Sequence, residues 1–148
     1  MDGIRRMPLL LAVAVTAVPL TMVPAVPAIA AATPGSGVTS RTIAQTTVDG
    51  RDYVLREITI WPGGSTGWHY HDGTLYALVK QGTLTRTLAD CATVTHPRGS
   101  VVVEQSGPGN VHIGRNLGST AVVLEALYVN PAGSPLAQDA PSPGCGLG

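Results

Sequence analysis

From Arg41 onward, short hydrophobic runs alternate with turn signals, and no stretch carries the three-and-four apolar spacing of an amphipathic helix. Asp49-Gly50 is a two-residue hairpin signal, followed by a strand at 53–61 in which Val54, Ile58 and Ile60 share one face and which Pro62-Gly63-Gly64-Ser65 ends. Residues 68–71 read as a short strand leading into an Asp72-Gly73 turn. Residues 74–80 put Leu75, Ala77 and Val79 on one face and Tyr76, Leu78 and Lys80 on the other. Gln81-Gly82 turns the chain into a threonine-rich strand at 83–88, and Pro97-Arg98-Gly99 precedes a valine run at 101–103 that suits a buried strand. Residues 111–116 and 121–130 complete the series. The pattern predicts an all-β fold: one barrel of two facing antiparallel sheets over residues 41–131.

The ends read differently. Residues 1–30 have the form of a secretory signal peptide, with Arg5 and Arg6 ahead of an apolar run at 8–29 and small residues Ala28 and Ala30 placed for cleavage after Ala30. The alternative is a retained membrane anchor, because the run is long enough to span a bilayer; Pro19, Pro24 and Pro27 argue against the continuous helix this needs. The expected localisation is therefore secreted, with no membrane contact in the mature form. Residues 31–40 are expected to be a flexible leader and 132–148, rich in Pro, Gly, Ser and Ala, a tail without a core of its own. Cys91 and Cys145 are the only cysteines, and in an exported chain they are expected to form a disulfide that pins the tail to the barrel.

Composition narrows the function. A chain of 148 residues is of single-domain length. Charged residues make up 12% with a formal net charge of zero, so neither a nucleic-acid partner nor an acidic tail is indicated. Phenylalanine is absent, and Trp61, Trp68, Tyr53, Tyr70, Tyr76 and Tyr128 are candidates either for pocket walls or for packing.

The chemistry is concentrated between Gly63 and Gly82. His69 and His71 are alternate residues of one strand, so both imidazoles share a face and chelate one metal ion if a third ligand arrives; His112, in Val-His-Ile-Gly-Arg-Asn, is the obvious supplier. The spacing Gly63, five residues, His69, one residue, His71 and on to Gly82 resembles the first motif of the cupin family, and His112, three residues, Asn116 resembles the end of its second. The resemblance implies a jelly-roll barrel (double-stranded β-helix) with His69, His71 and His112 as metal ligands on its inner wall. Two positions depart from the family: Leu75 stands where a glutamate ligand is usual, and Gln105 replaces the second motif's proline ahead of a lengthened glycine-rich turn at 106–110.

Three histidines without a carboxylate suit zinc, iron, copper, nickel or manganese, with positions left for water or substrate. Leu75 removes one negative charge, which leaves the ion more Lewis acidic, and Leu75→Glu is expected to tighten binding. Glu104 and Glu125 are candidate general bases only if they face inward, and Glu104 shares the parity of Val102. Tyr76 points away from the metal unless the register slips by one residue. His96 reads as a surface turn residue, and Asn116 as a hydrogen-bonding end to its strand. Two functions stay open: a metalloenzyme acting on a small-molecule substrate by an unassigned reaction, and a non-catalytic module that holds a small ligand or metal, either as a monomer or as a homodimer.

Overall fold

A computed structural model describes residues 34–147; the expected signal peptide, or its anchor alternative, lies outside them. The described residues form ten strands: β1 Ser36–Val48, β2 Arg51–Ser65, β3 His69–Tyr70, β4 Thr74–Gln81, β5 Thr83–Leu88, β6 Thr93–Pro97, β7 Val101–Glu104, β8 His112–Arg115, β9 Val122–Pro131 and β10 Gln138–Asp139. One turn of 3-10 helix, Pro108–Asn110, interrupts them. All the strand pairings are antiparallel. Hydrogen bonding runs in the order β10-β3-β8-β2-β9-β4-β7, with β1 on β2 and β5 bridging β6 and β8, so the sheet wraps into the expected jelly-roll barrel.

The period-two pattern places the core. On β4, Leu75, Ala77 and Val79 are buried while Tyr76 and Leu78 are exposed, which settles the register as the alternation predicts. On β9, Val122, Leu124, Ala126, Tyr128 and Asn130 all face inward. The apolar members of these two inward faces and Tyr128 pack with Val54, Ile60, Leu84 and Val102 into one core cluster. Val54, Tyr128, Leu75 and Glu104 are successive cross-strand partners over β2, β9, β4 and β7, forming a single row across the barrel wall.

The β1–β2 hairpin turns on Asp49 and Gly50, both at positive φ (48° and 72°), the conformation a two-residue primed turn requires. Three boundaries differ from the sequence expectation. The expected leader is strand from Ser36 onward, because β1 keeps pairing with β2 back to Ser36 opposite Ser65. Pro62-Gly63-Gly64 does not end β2: Gly63 N–H donates to the Asn116 carbonyl and Asn116 N–H to that of Gly64 (3.0 Å each), so backbone pairing carries the strand through a bulge to Ser65. His96 lies within β6 opposite Leu84, in a strand rather than a turn.

The C-terminal segment also does more than trail. β10 pairs with β3, setting Asp139 opposite His69 and Gln138 opposite Tyr70, and Ala140 N–H donates to the Trp68 carbonyl (2.9 Å). Cys91 and Cys145 are bonded, as expected, closing a loop of 54 residues' separation. On a chain-entropy account such a loop contributes on the order of 4 kcal/mol.

Candidate metal centre

The three histidines come together. β3 carries His69, His71 follows it directly, and His112 opens β8 opposite His69. Their rings are buried and their centroids lie 4.4 to 5.3 Å apart. Each ring is oriented by a backbone carbonyl: Nδ1 of His69 meets Gly67 O at 3.0 Å, that of His71 meets Leu136 O at 2.7 Å, and that of His112 meets Asn110 O at 2.8 Å. A carbonyl only accepts, so Nδ1 is the donor in all three, and in the neutral rings every Nε2 carries a lone pair. This is the arrangement by which metal-binding histidines are usually held, the ring's far nitrogen fixing tautomer and direction.

Glu104, at the end of β7, joins them. It has the parity of buried Val102, faces inward, and brings one oxygen into a set with one ring nitrogen from each histidine, all four atoms within 4.8 Å of one another. Its Oε2 lies 3.0 Å from His71 Nε2 and 3.1 Å from His112 Nε2, and the latter nitrogen is buried without an aligned hydrogen-bond partner. Three electron-rich atoms at that separation, cut off from water, repel unless a cation lies among them, either a proton or a metal ion. The donor set of three imidazoles and one carboxylate fits a divalent metal.

Electrostatics keeps the set ready. Burial alone would raise the Glu104 carboxyl, but when the cation between them is a proton, donation from the facing nitrogens of His112 and His71, together with the charges of His112 and Arg86, outweighs it and holds the group well below the usual carboxylate range. Arg86 Nε stands 3.0 Å from Glu104 Oε1, though off the N–H line, so the contact is one of charge more than of an aligned hydrogen bond. His69 is pushed down to about 4, by burial first and then by repulsion from His112, and is neutral at physiological pH. Tyr128 is pushed up to about 12 by burial and the Glu104 charge, with Arg56 acting in the opposite sense, so its hydroxyl keeps its proton.

Two spaces border the histidines. A chamber of about 60 Å³, walled by apolar residues including Leu75, Ala77, Leu84, Val102 and Leu124, reaches His69, His71 and Glu104. A more open mouth of about 190 Å³ is lined by Ser40, Arg56, His69, His71, Tyr128 and Asp139 among others. Ile58, Thr66, His69, His71 and Tyr128 border both, so the two spaces adjoin along the metal-binding face.

Against the sequence expectations, His69, His71 and His112 converge as anticipated, Leu75 is an apolar wall, and Tyr76 points out to solvent. Asn116 is buried and bonds the carbonyls of Ile60 and Thr120, closing its strand end. Glu125 faces outward and pairs with Lys80 at 2.9 Å, which removes it as a general base. The expected loss of a carboxylate is corrected: Glu104, the direct cross-strand partner of Leu75, returns the missing charge from the neighbouring strand. Tyr128, one of the aromatic candidates for a pocket wall, lines the space beside the histidines, whereas Arg56 and Arg86 were not singled out from the sequence, although each has the inward parity of its strand.

A family model described as a cupin domain matches residues 56–129. No curated protein matches the sequence. Among solved structures, the polyketide cyclase RemF from Streptomyces resistomycificus is similar with a TM-score of 0.59 and 21% identity, covering 83% of this chain and 90% of that one. A cupin-2 domain from Rhodospirillum rubrum gives 0.58 and 18%, covering 71% and 66%. A cupin domain from Bordetella pertussis gives 0.53 and 22%, covering 66% and 96%. The matched segment contains the whole of the His69, His71, Glu104 and His112 cluster and the strands that carry it, and the chain belongs to the cupin family.

Proposed function

We propose that this cupin binds one divalent metal ion through His69, His71, Glu104 and His112 and uses it to act on a small molecule entering from the barrel mouth. The carrying observation is the tautomer lock: three Nδ1 atoms committed to backbone carbonyls, leaving His112 Nε2 buried beside a carboxylate with no aligned partner. The ion would supply Lewis acidity, polarising a substrate oxygen or lowering the pKa of bound water. The chain's own groups do the rest. Arg86 keeps Glu104 ionised and stands beside its second oxygen, and the chamber gives the site an apolar wall. Tyr128, which keeps its proton, borders both chamber and mouth. Zinc, iron, manganese, nickel and copper are all compatible with the donor set. An enzyme is the better reading than a passive holder, because His69 and His71 border an open mouth and a structural site is normally closed. The similar cyclase RemF is one enzyme built on this fold. Export belongs to the same reading, supported by the N-terminal apolar segment and by the Cys91–Cys145 disulfide.

Calorimetric titration of chelator-treated protein with zinc and with manganese tests the centre. One ion per chain is expected, with His69→Ala losing most of the affinity; equal binding by the parent and His69→Ala would show that these histidines are not the ligands.

A further inference from the structure

β2 presents Val54, Ile58 and Ile60 to the barrel interior, and Arg56 has the same parity. An arginine on a core-facing strand position is costly unless something pairs with it. Among the described residues, no carboxylate lies within ion-pair distance of Arg56, whereas Arg41, Lys80 and Arg86 each have one. Its Nη2 donates to the Ser40 hydroxyl, and its Nε is buried without a partner. The cross-strand neighbour on β9 is Ala126, whose small side chain leaves room, and the next inward residue of β9 is Tyr128. Arg56 and Tyr128 line the mouth together with His69 and His71.

Building on the metal reading above, we infer that Arg56 and Tyr128 form an anion-recognition site at the barrel mouth, so that the natural ligand is a small organic acid whose carboxylate is held there beside the metal. Charge balance points the same way. A divalent ion with Glu104 and Arg86 leaves the centre with two positive charges, and Arg56 adds a third. The acid that lines the mouth, Asp139, is exposed on β10, where water screens it. A carboxylate suits a guanidinium, whose fork of donors matches it, and a phenol hydroxyl, which can donate beside it. The apolar chamber next to the mouth takes the hydrocarbon part of such a molecule.

The test uses the full mature chain loaded with zinc, its content checked by elemental analysis, and titrated with acetate, butyrate and benzoate beside acetamide, butyramide and benzamide. The parent should bind at least one acid and bind its amide at least about 10-fold more weakly. Arg56→Gln should keep its zinc and lose about 10- to 100-fold in affinity for that acid, with Arg56→Lys in between. No acid binding by the zinc-loaded parent, equal binding of acid and amide, or equal acid binding by Arg56→Gln each overturns the anion site while leaving the metal centre standing. A parent that retains no zinc overturns the metal reading and this inference with it. The acid–amide comparison in the parent decides the question even if Arg56→Gln fails to fold.

Discussion

Replacing Glu104 separates its two roles. The residue is 8% exposed and touches His71, His112 and Arg86 at 3.0 to 3.1 Å. Glu104→Gln leaves the Arg86 guanidinium buried beside a neutral amide, and breaking a buried ion pair from one side typically costs about 3–5 kcal/mol. The same change removes the only charged ligand, so zinc affinity should fall by more than the roughly 10- to 100-fold seen when residues merely supporting a metal ligand are removed. Glu104→Leu with Arg86→Met removes both charges and should regain most of the lost stability without regaining metal affinity. Leu75 offers a stricter control, since it is paired directly with Glu104 and both face inward. Cβ atoms so placed are about 5 Å apart, within a glutamate's reach. Glu104→Leu with Leu75→Glu should therefore recover at least about 10-fold in zinc affinity over Glu104→Leu alone. Leu75→Glu by itself should not tighten binding as the sequence suggested, because it sets a second buried carboxylate against Glu104. Urea denaturation of the metal-free proteins and zinc titration of each variant give both quantities. A Glu104→Leu protein that binds zinc within about threefold of the parent, a difference of less than about 1 kcal/mol, would refute the carboxylate's role.

Two further outcomes follow from the site's surroundings. His69 has a folded pKa of about 4 against 6.5 when free, so the unfolded chain takes up the proton first: this contribution to stability is complete above about 6.5 and is lost as pH falls toward 4. The full gap corresponds to about 3 kcal/mol. Glu104, also held low, adds a loss of the same sign at more acid pH. Urea midpoints of the metal-free protein should therefore fall between pH 7.5 and pH 5, and a constant or rising midpoint would contradict the assignment. Cys145→Ser should free the C-terminal segment, loosen the Leu136 carbonyl from His71, and weaken zinc binding about 10- to 100-fold, with faster amide exchange at Ala140 than in β9; unchanged zinc affinity would mean that the segment does not support the site.

The barrel was readable because its signals are local. Alternation on β4 and β9, the Asp49-Gly50 turn and the histidine spacing each follow from backbone geometry within a few residues. What escaped was decided by pairing between distant segments. β1 extends back to Ser36 because β2 is there to receive it, and β2 passes through Pro62-Gly63-Gly64 because Asn116 holds both glycines' backbones. The C-terminal segment resembles linker in composition, yet β3 has an open edge and the disulfide holds the segment beside it.

The site shows the same division in its charged residues. A family motif assigns the carboxylate to one position of one strand, and Leu75 at that position reads as a missing ligand. A metal ion senses only where the oxygen lies, and in an antiparallel pair the directly opposed residue on the next strand reaches nearly the same point. Parity with Val102 already put Glu104 on the inward face; the missing piece was that β7, and not another strand, lies against β4 at Leu75. Parity likewise marked Arg56 and Tyr128, since a long polar side chain in register with core residues must either find a partner or await one. Glu104 finds its partners in Arg86 and the histidines, whereas Arg56 has only the Ser40 hydroxyl. On the proposed reading, that asymmetry between two inward charges on one barrel wall separates a group that would complete a metal centre from one that would face a ligand.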